Sequence, residues 1–302
     1  MEQNDCMPEI LKRFALGFVS LAWRLAVYFA LLIAALRLLS MAYHGAMLGL
    51  GAHFAQSPGV KPAESVGFGE ARLLLAALLA WAVTARLGRD RLGPILPLRA
   101  TAAPHLLQGA LWGLAGVGAT LGAIALFGGY QVSGLALSGA ALAYYLPLWL
   151  AVAVLNGLAE NLAVMGYPLY RVAGLTGWVP AILLVGLLFA AIHLGNPGEN
   201  PLGIASVFLI GALLATTIWL TGDLWLSVGI HAGAVLAEDL VFSVPDSGVT
   251  YTGHLLASRL SGPAWLSGGD AGPEGSVLAL PVFAVLLAIL WIVYRRPAAR
   301  DD

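Results

Sequence analysis

Long apolar runs, separated by short polar or glycine- and proline-rich stretches, set the pattern of this chain. Eight of them approach the roughly 20 residues that a helix needs to cross a bilayer: 17–43, 68–86, 107–128, 136–169, 178–194, 203–221, 224–243 and 277–294. The pattern predicts an all-α polytopic membrane protein, a bundle of about eight transmembrane helices. The fourth run is about 34 residues, near 50 Å as a straight helix at about 1.5 Å per residue. That exceeds the hydrocarbon core, so this helix is expected to tilt, to protrude, or to break near Pro147 or Asn156-Gly157. Arg24 and Arg37 fall in the first run, where they either snorkel or face the bundle.

Two connections differ from plain loops. Residues 194–202 read Leu-Gly-Asn-Pro-Gly-Glu-Asn-Pro-Leu, a turn-rich break between the fifth and sixth helices. Residues 244–276 form a long Gly-, Ser- and Pro-rich segment, expected as a lid or re-entrant piece, or else as an exposed connector. No internal repeat stands out, which disfavours a transporter built of inverted halves. Three regions follow: N-terminal helices over 1–135, a core over 136–243, and the glycine-rich loop with the last helix over 244–302.

Composition agrees with the hydropathy. Of 302 residues, 60% are hydrophobic and 10% charged, against about 25% charged in a soluble domain. The net charge of −1 offers nothing for nucleic acid. The single cysteine, Cys6, can form neither an internal disulfide nor a cysteine metal site. Lys12 and Arg13 precede an apolar run too long for a signal peptide, so the first helix is expected to be retained. With the N-terminus inside, the inner connections collect Lys12, Arg13, Arg86, Arg89, Arg91, Arg99, Arg171, Arg295, Arg296 and Arg300, whereas the outer ones hold only Lys61, Arg72 and Arg259. This bias places both termini in the cytoplasm.

Against this background Glu160, His193 and His231 stand out, each inside a predicted span. An ionisable group in hydrocarbon costs roughly 2.5–3.5 kcal/mol on insertion scales, so such groups are retained where they face each other or water. Two imidazoles and a carboxylate can bind a water, hold a metal or move a proton. Each also has a plainer reading: Glu160 as a protonated interhelical hydrogen-bond donor, and His193 as a helix-end cap. Phe189 shares a helix face with His193 and can fix its rotamer. Gly229, Ala232, Gly233 and Ala234 allow close helix approach around His231. Glu238 falls on the stripe of His231 and Val235, either to orient the imidazole or as an interfacial acid. His44, His53, His105 and His254 read as ordinary polar surface.

The order of these residues resembles the CAAX protease and bacteriocin-processing family, the Abi or type II CAAX prenyl endopeptidase-like intramembrane proteases. The resemblance covers about residues 140–243. The family's Glu-Glu-x-x-x-Arg reads Glu160-Asn161-x-x-x-Met165 here, its Phe-x-x-x-His is intact as Phe189 and His193, and its His-x-x-x-Asn reads His231 and Val235. The turn after His193 and the stretch 268–276 look like a bacterial branch, implying a cell (inner) membrane location.

Carried over, the resemblance implies an intramembrane endopeptidase acting on a membrane-associated peptide or protein. Glu160 would be the general base, His193 its partner, and His231 would bind the water, a metal or the oxyanion, with Asn161 and Glu238 in support. Glu160, His193 and His231 would be the ligands of a divalent metal such as zinc, were one bound. Asn161, Met165 and Val235 depart from the motifs and leave open a catalytically impaired relative that binds or chaperones a membrane partner. A proton-linked transporter is the third reading.

Overall fold

A computed structural model describes residues 9–49, 60–89 and 100–295. Cys6, His53, Arg91, Arg99, Arg296 and Arg300 lie outside the described residues, as do the side chains of Lys12 and Arg13.

Ten α-helices are described, with two short strand pairs. They are α1 (Glu9–Gly49), α2 (Ala63–Leu87), α3 (Ala102–Leu126), α4 (Gly139–Asn161), α5 (Tyr167–Thr176), α6 (Trp178–His193), α7 (Pro201–Thr221), α8 (Trp225–Val235), α9 (Ala264–Ser267) and α10 (Ala279–Tyr294). Six helical stretches are long and apolar enough to cross a membrane, and α6 and α10 are shorter apolar helices of 16 residues. The chain is an all-α polytopic membrane protein with little sheet.

The fourth predicted helix does break, though not at the expected place. α4 runs unbroken through Pro147 and Gly157. A π-helical turn then spans Leu162–Gly166, and α5 leaves from Gly166, whose ψ of −103° departs from helical geometry. α1 secures this irregular turn: Tyr28, fully buried, donates its hydroxyl to the Ala163 carbonyl at 2.9 Å and stacks on Tyr167. Gly177, with φ of 84°, then turns the chain back into α6. Glu160 lies 17 positions before Gly177 and His193 16 positions after it. At about 1.5 Å per residue an antiparallel hairpin of that symmetry carries both side chains to one height.

Glycine sets how closely the helices pack. Gly109 and Gly113 of α3 face Gly229 and Gly233 of α8; a Cβ on any of the four would strike the partner's backbone, at Leu226, Ile230, Leu106 and Ala110 respectively. A Cβ on Gly157 of α4 would lie 2.7 Å from the Val228 carbonyl of the same α8. Two small-xxx-small faces thus meet at backbone distance, where dispersion and Cα–H···O contacts replace a hydrophobic drive that is absent between helices in lipid.

Residues 244–276 form an ordered cap, so the exposed-connector alternative falls. Strand β1 (Val60–Lys61) pairs in parallel with β3 (Thr250–Tyr251), and β2 (Tyr130–Leu135) pairs antiparallel with β4 (Leu256–Leu260). The Trp149 indole donates to the Thr252 carbonyl at 3.1 Å, and Tyr130 donates to the Phe242 carbonyl at 2.9 Å. The 194–202 turn locks onto the cap. Asn200 caps α7 by accepting from the Leu202 and Gly203 amides, while its own amide donates to the Gly268 carbonyl at 3.0 Å.

Arg24 faces the bundle, donating to the Gly88 carbonyl at 3.3 Å, while Arg37 is exposed. Two histidines expected at the surface are held instead. His105 pairs with the buried Asp223 at 3.0 Å, and His254 hydrogen-bonds the Asp239 carbonyl at 2.8 Å, fastening the cap; His44 stays peripheral, bonded to the Ser40 carbonyl of its own helix.

Gly113→Val should lower stability by roughly 3 kcal/mol, the upper end of overpacking costs, because the added carbons meet backbone that cannot rotate away. Thermal unfolding of the detergent-purified variant checks this; an unchanged midpoint would mean that the α3–α8 crossing is looser than described.

Candidate functional site

The close approach of α4 to α8 at Gly157 brings the next turn of α4, Glu160 and Asn161, against His231. Asn161 is fully buried. Its amide donates to Ser227 Oγ at 3.0 Å, which turns Oδ1 towards His231, where it accepts from Nδ1–H at 2.9 Å. The imidazole is thereby fixed with Nε2 as the free nitrogen, 3.8 Å from Glu160 Oε2. Glu160 Oε1 accepts from the Asn156 amide at 3.3 Å, and Oε2 is buried without a hydrogen-bond partner.

His193 arrives from α6 at the same level. Its Nδ1–H donates to the Phe189 carbonyl at 2.7 Å, so Nε2 is again the free nitrogen. Phe189 does more than fix one rotamer: its ring lies 4.8 Å from that of His193 and 5.9 Å, edge-on, from that of His231. Glu160, His193, His231, Phe189 and Val235 all line one cavity of about 80 Å³, room for a few waters.

Position 161 carries an orienting amide where the family motif has an acid, and Met165 is fully buried in the apolar core where the motif has an arginine. The acid–arginine pair has thus been replaced on both sides at once, leaving no unpaired buried charge.

Glu238 differs from both expectations. It is neither an interfacial acid, being buried, nor the partner of His231, whose Nδ1 is held by Asn161. A second π-helical segment, Leu236–Phe242, follows Val235. Glu238 lies there beside Glu274 of the cap, in the same cavity. The first π segment directly follows Asn161 and the second contains Glu238, and functional positions are a common place for such insertions.

Sequence reading missed four further polar residues. Asn156, Asp246, Ser247 and Glu274 also line the cavity. The Ser247 amide donates to Glu274 Oε1, which pins the cap to its own carboxylate. Glu70 of α2 approaches from the side, hydrogen-bonded with Asn156 and repelled by Glu160. The signal for Asp246 was the length of the 244–276 segment, and for Glu274 also the 268–276 stretch that contains it; neither lies in an apolar run.

A metal centre made of Glu160, His193 and His231 does not fit this arrangement. Among the described residues no three His, Cys, Asp or Glu side chains are grouped as ligands of one ion.

Residues 141–237 match the family model described as type II CAAX prenyl endopeptidase Rce1-like. This stretch is similar to an Rce1-like domain. The family is a protease family, and the domain here holds Asn156, Glu160, Phe189, His193, His231 and Val235, while Glu238, Asp246 and Glu274 are added from beyond its limit. No curated protein and no solved structure matches the chain.

In the cap, burial and then repulsion from Glu160 raise the Asp246 carboxyl to about 6, with His193 opposing. Burial and then repulsion from Asp246 raise Glu274 to about 8, with the Ser247 amide opposing. Both values lie above those of an unfolded chain, so the neutral forms favour the folded state. That stability is complete below the ordinary carboxylate range and is lost as pH rises through about 6 and then about 8. Limited proteolysis within 244–276 should accordingly be slower at pH 5 than at pH 9. Asp246→Asn with Glu274→Gln should flatten the profile; a steep profile in that variant would place the titration elsewhere.

Proposed function

We propose that this chain is an intramembrane endopeptidase that hydrolyses a peptide bond of a membrane-associated peptide or protein. The observation that carries the reading is the pairing of Glu160 Oε2, without a hydrogen-bond partner, and the free Nε2 of His231 across a 3.8 Å gap. A water seated beside that gap lies within reach of both groups. Glu160 takes one of its protons as the oxygen attacks the scissile carbonyl carbon, and returns it to the nitrogen as the C–N bond breaks. The Nε2 of His231, the acceptor of a fixed tautomer, takes the water's other hydrogen and orients it. Every step runs through side chains of the Rce1-like domain and requires no bound group.

The developing oxyanion needs a donor, and neither neutral imidazole offers one at Nε2. Val235 supplies none. Among the described residues lining the cavity, Asn156 has the one carboxamide, and its amide already points at Glu160. Asn156, on α4 instead of α8, is the donor in this reading, its amide turning from Glu160 to the oxyanion as Glu160 takes up the proton.

In this reading the N-terminus is cytoplasmic, as the positive-inside bias favours, with the cap and cavity at the outer face and the Gly177 turn inside, and the membrane is a bacterial inner membrane, as the family resemblance implies. A second reading, a binding or chaperone protein for a membrane partner, draws on Val235, the position where the third motif has lost its polar residue.

Cleavage of a membrane-peptide library by the purified full chain tests the reading. Glu160→Gln should abolish cleavage while leaving the unfolding midpoint within about 0.5 kcal/mol, as for a shape-conserving change; unchanged cleavage would remove Glu160 from the chemistry. Asn156→Ala should lower turnover by roughly 10²–10³, the worth of one oxyanion donor, and Val235→Asn should raise it. Silence of the unmutated chain and of Val235→Asn alike would favour the binding protein.

A further inference from the structure

Four carboxyl groups line the cavity: Glu160, Glu238, Asp246 and Glu274. No lysine or arginine lines it with them. Glu160 has its place in the proposed chemistry; the other three do not. They come from two separate elements. Glu238 is carried on the π segment that continues α8, and Asp246 and Glu274 on the cap.

These three are not solvated surface acids. Glu274 is 3% exposed: its Oε1 accepts from the Ser247 amide, and its buried Oε2 meets no donor but the carboxyl of Glu238 beside it. Glu238 is 7% exposed and faces Glu274. Carboxyl groups packed this way cannot all be ionised without a counter-charge, and burying unpaired charge is costly. In the free protein they cannot all be charged together; a cation entering the cavity would lift that limit and gain short charge-assisted hydrogen bonds.

We propose that Glu238, Asp246 and Glu274 form a subsite that takes the lysine or arginine side chain of a peptide substrate. The proposal rests on the peptidase reading for the word substrate, and names the class of substrate that the site selects. A bare metal ion fits less well, because no three acids are grouped around one point. An ammonium or guanidinium carries several divergent N–H donors on a long apolar stem, and the cavity walls beside the acids are apolar, including Val207, Leu213, Phe283 and Leu286. The subsite adjoins the reacting atoms. Asp246 interacts electrostatically with both Glu160 and His193, so the basic residue would sit within a residue or two of the scissile bond.

Binding can be read apart from cleavage. The full chain carrying Glu160→Gln, purified in detergent, is titrated with fluorescein-labelled Ala-Leu peptides that differ only in one Lys, Arg, norleucine or Glu walked along the sequence. Lys or Arg at one position should tighten binding at least tenfold over norleucine, and agmatine should compete with the Lys peptide but not with the norleucine peptide. Adding Asp246→Asn or Glu238→Gln should erase the preference while norleucine-peptide affinity stays, which also shows that the variants fold. The agmatine arm gives the same answer with no cap variant at all. Equal affinity for Lys and norleucine at every position overturns the subsite, as does a preference that survives both substitutions, which would leave the three acids as a latch for the cap. A clear Lys preference in binding, with no cleavage of the same peptides by the unmutated chain, supports the subsite and overturns the peptidase reading alone.

Discussion

Everything at the centre of this protein depends on how closely α8 is gripped. α3 meets it through Gly109 and Gly113 against Gly229 and Gly233, and α4 meets it through Gly157 at the Val228 carbonyl. At those distances no Cβ fits, and the backbones themselves are the packing surface. The functional groups follow from this. Asn161 reaches Ser227 and His231 in a single hydrogen-bonded line only because α4 and α8 are so near. A side chain at any of these glycines would separate the helices by more than a hydrogen bond can span.

The second constraint is charge. The cavity holds four carboxyl groups and two histidines in an otherwise apolar bundle, with no lysine or arginine among the described residues that line it. Polar groups that serve only the fold are satisfied inside it: Tyr28 by the Ala163 carbonyl, Asp223 by His105, Asn200 by its helix and the cap. Those of the cavity are left wanting, with Glu160 Oε2 and Glu274 Oε2 buried and unbonded. Buried polar atoms without partners also occur at Arg72, Thr84, Glu199 and Ser206, but those of the cavity share one space with the free imidazole nitrogens, as in a site built for something that comes and goes.

The departures from the family motifs look different in three dimensions. Asn161 and Met165 form a consistent exchange, in which a charged pair has become an orienting amide and a core methionine. Val235 has no such local partner. In the proposed reading Asn156, on another helix and outside all three motifs, takes the place of the missing amide. The cap likewise adds Asp246 and Glu274 from beyond the Rce1-like stretch. The cavity is therefore a joint product of the domain and of what this chain has appended to it.

Sequence alone determined that the chain is an α-helical membrane protein, where its apolar segments lie, and that Glu160, Phe189, His193 and His231 were the groups to watch. Hydropathy is a local sum, and an ionisable residue within an apolar run is visible one position at a time. Tertiary structure decided which of these groups meet, and at what height. The two π segments shift every residue after them around the helix axis, Gly177 sets the level of His193 against Glu160, and the cap folds Asp246 and Glu274 over the cavity. Along the chain those two acids look like any polar residues in a glycine-rich loop, and Glu238 like an acid at a helix end. What makes them part of the site is contact between segments far apart in sequence, which no local pattern encodes.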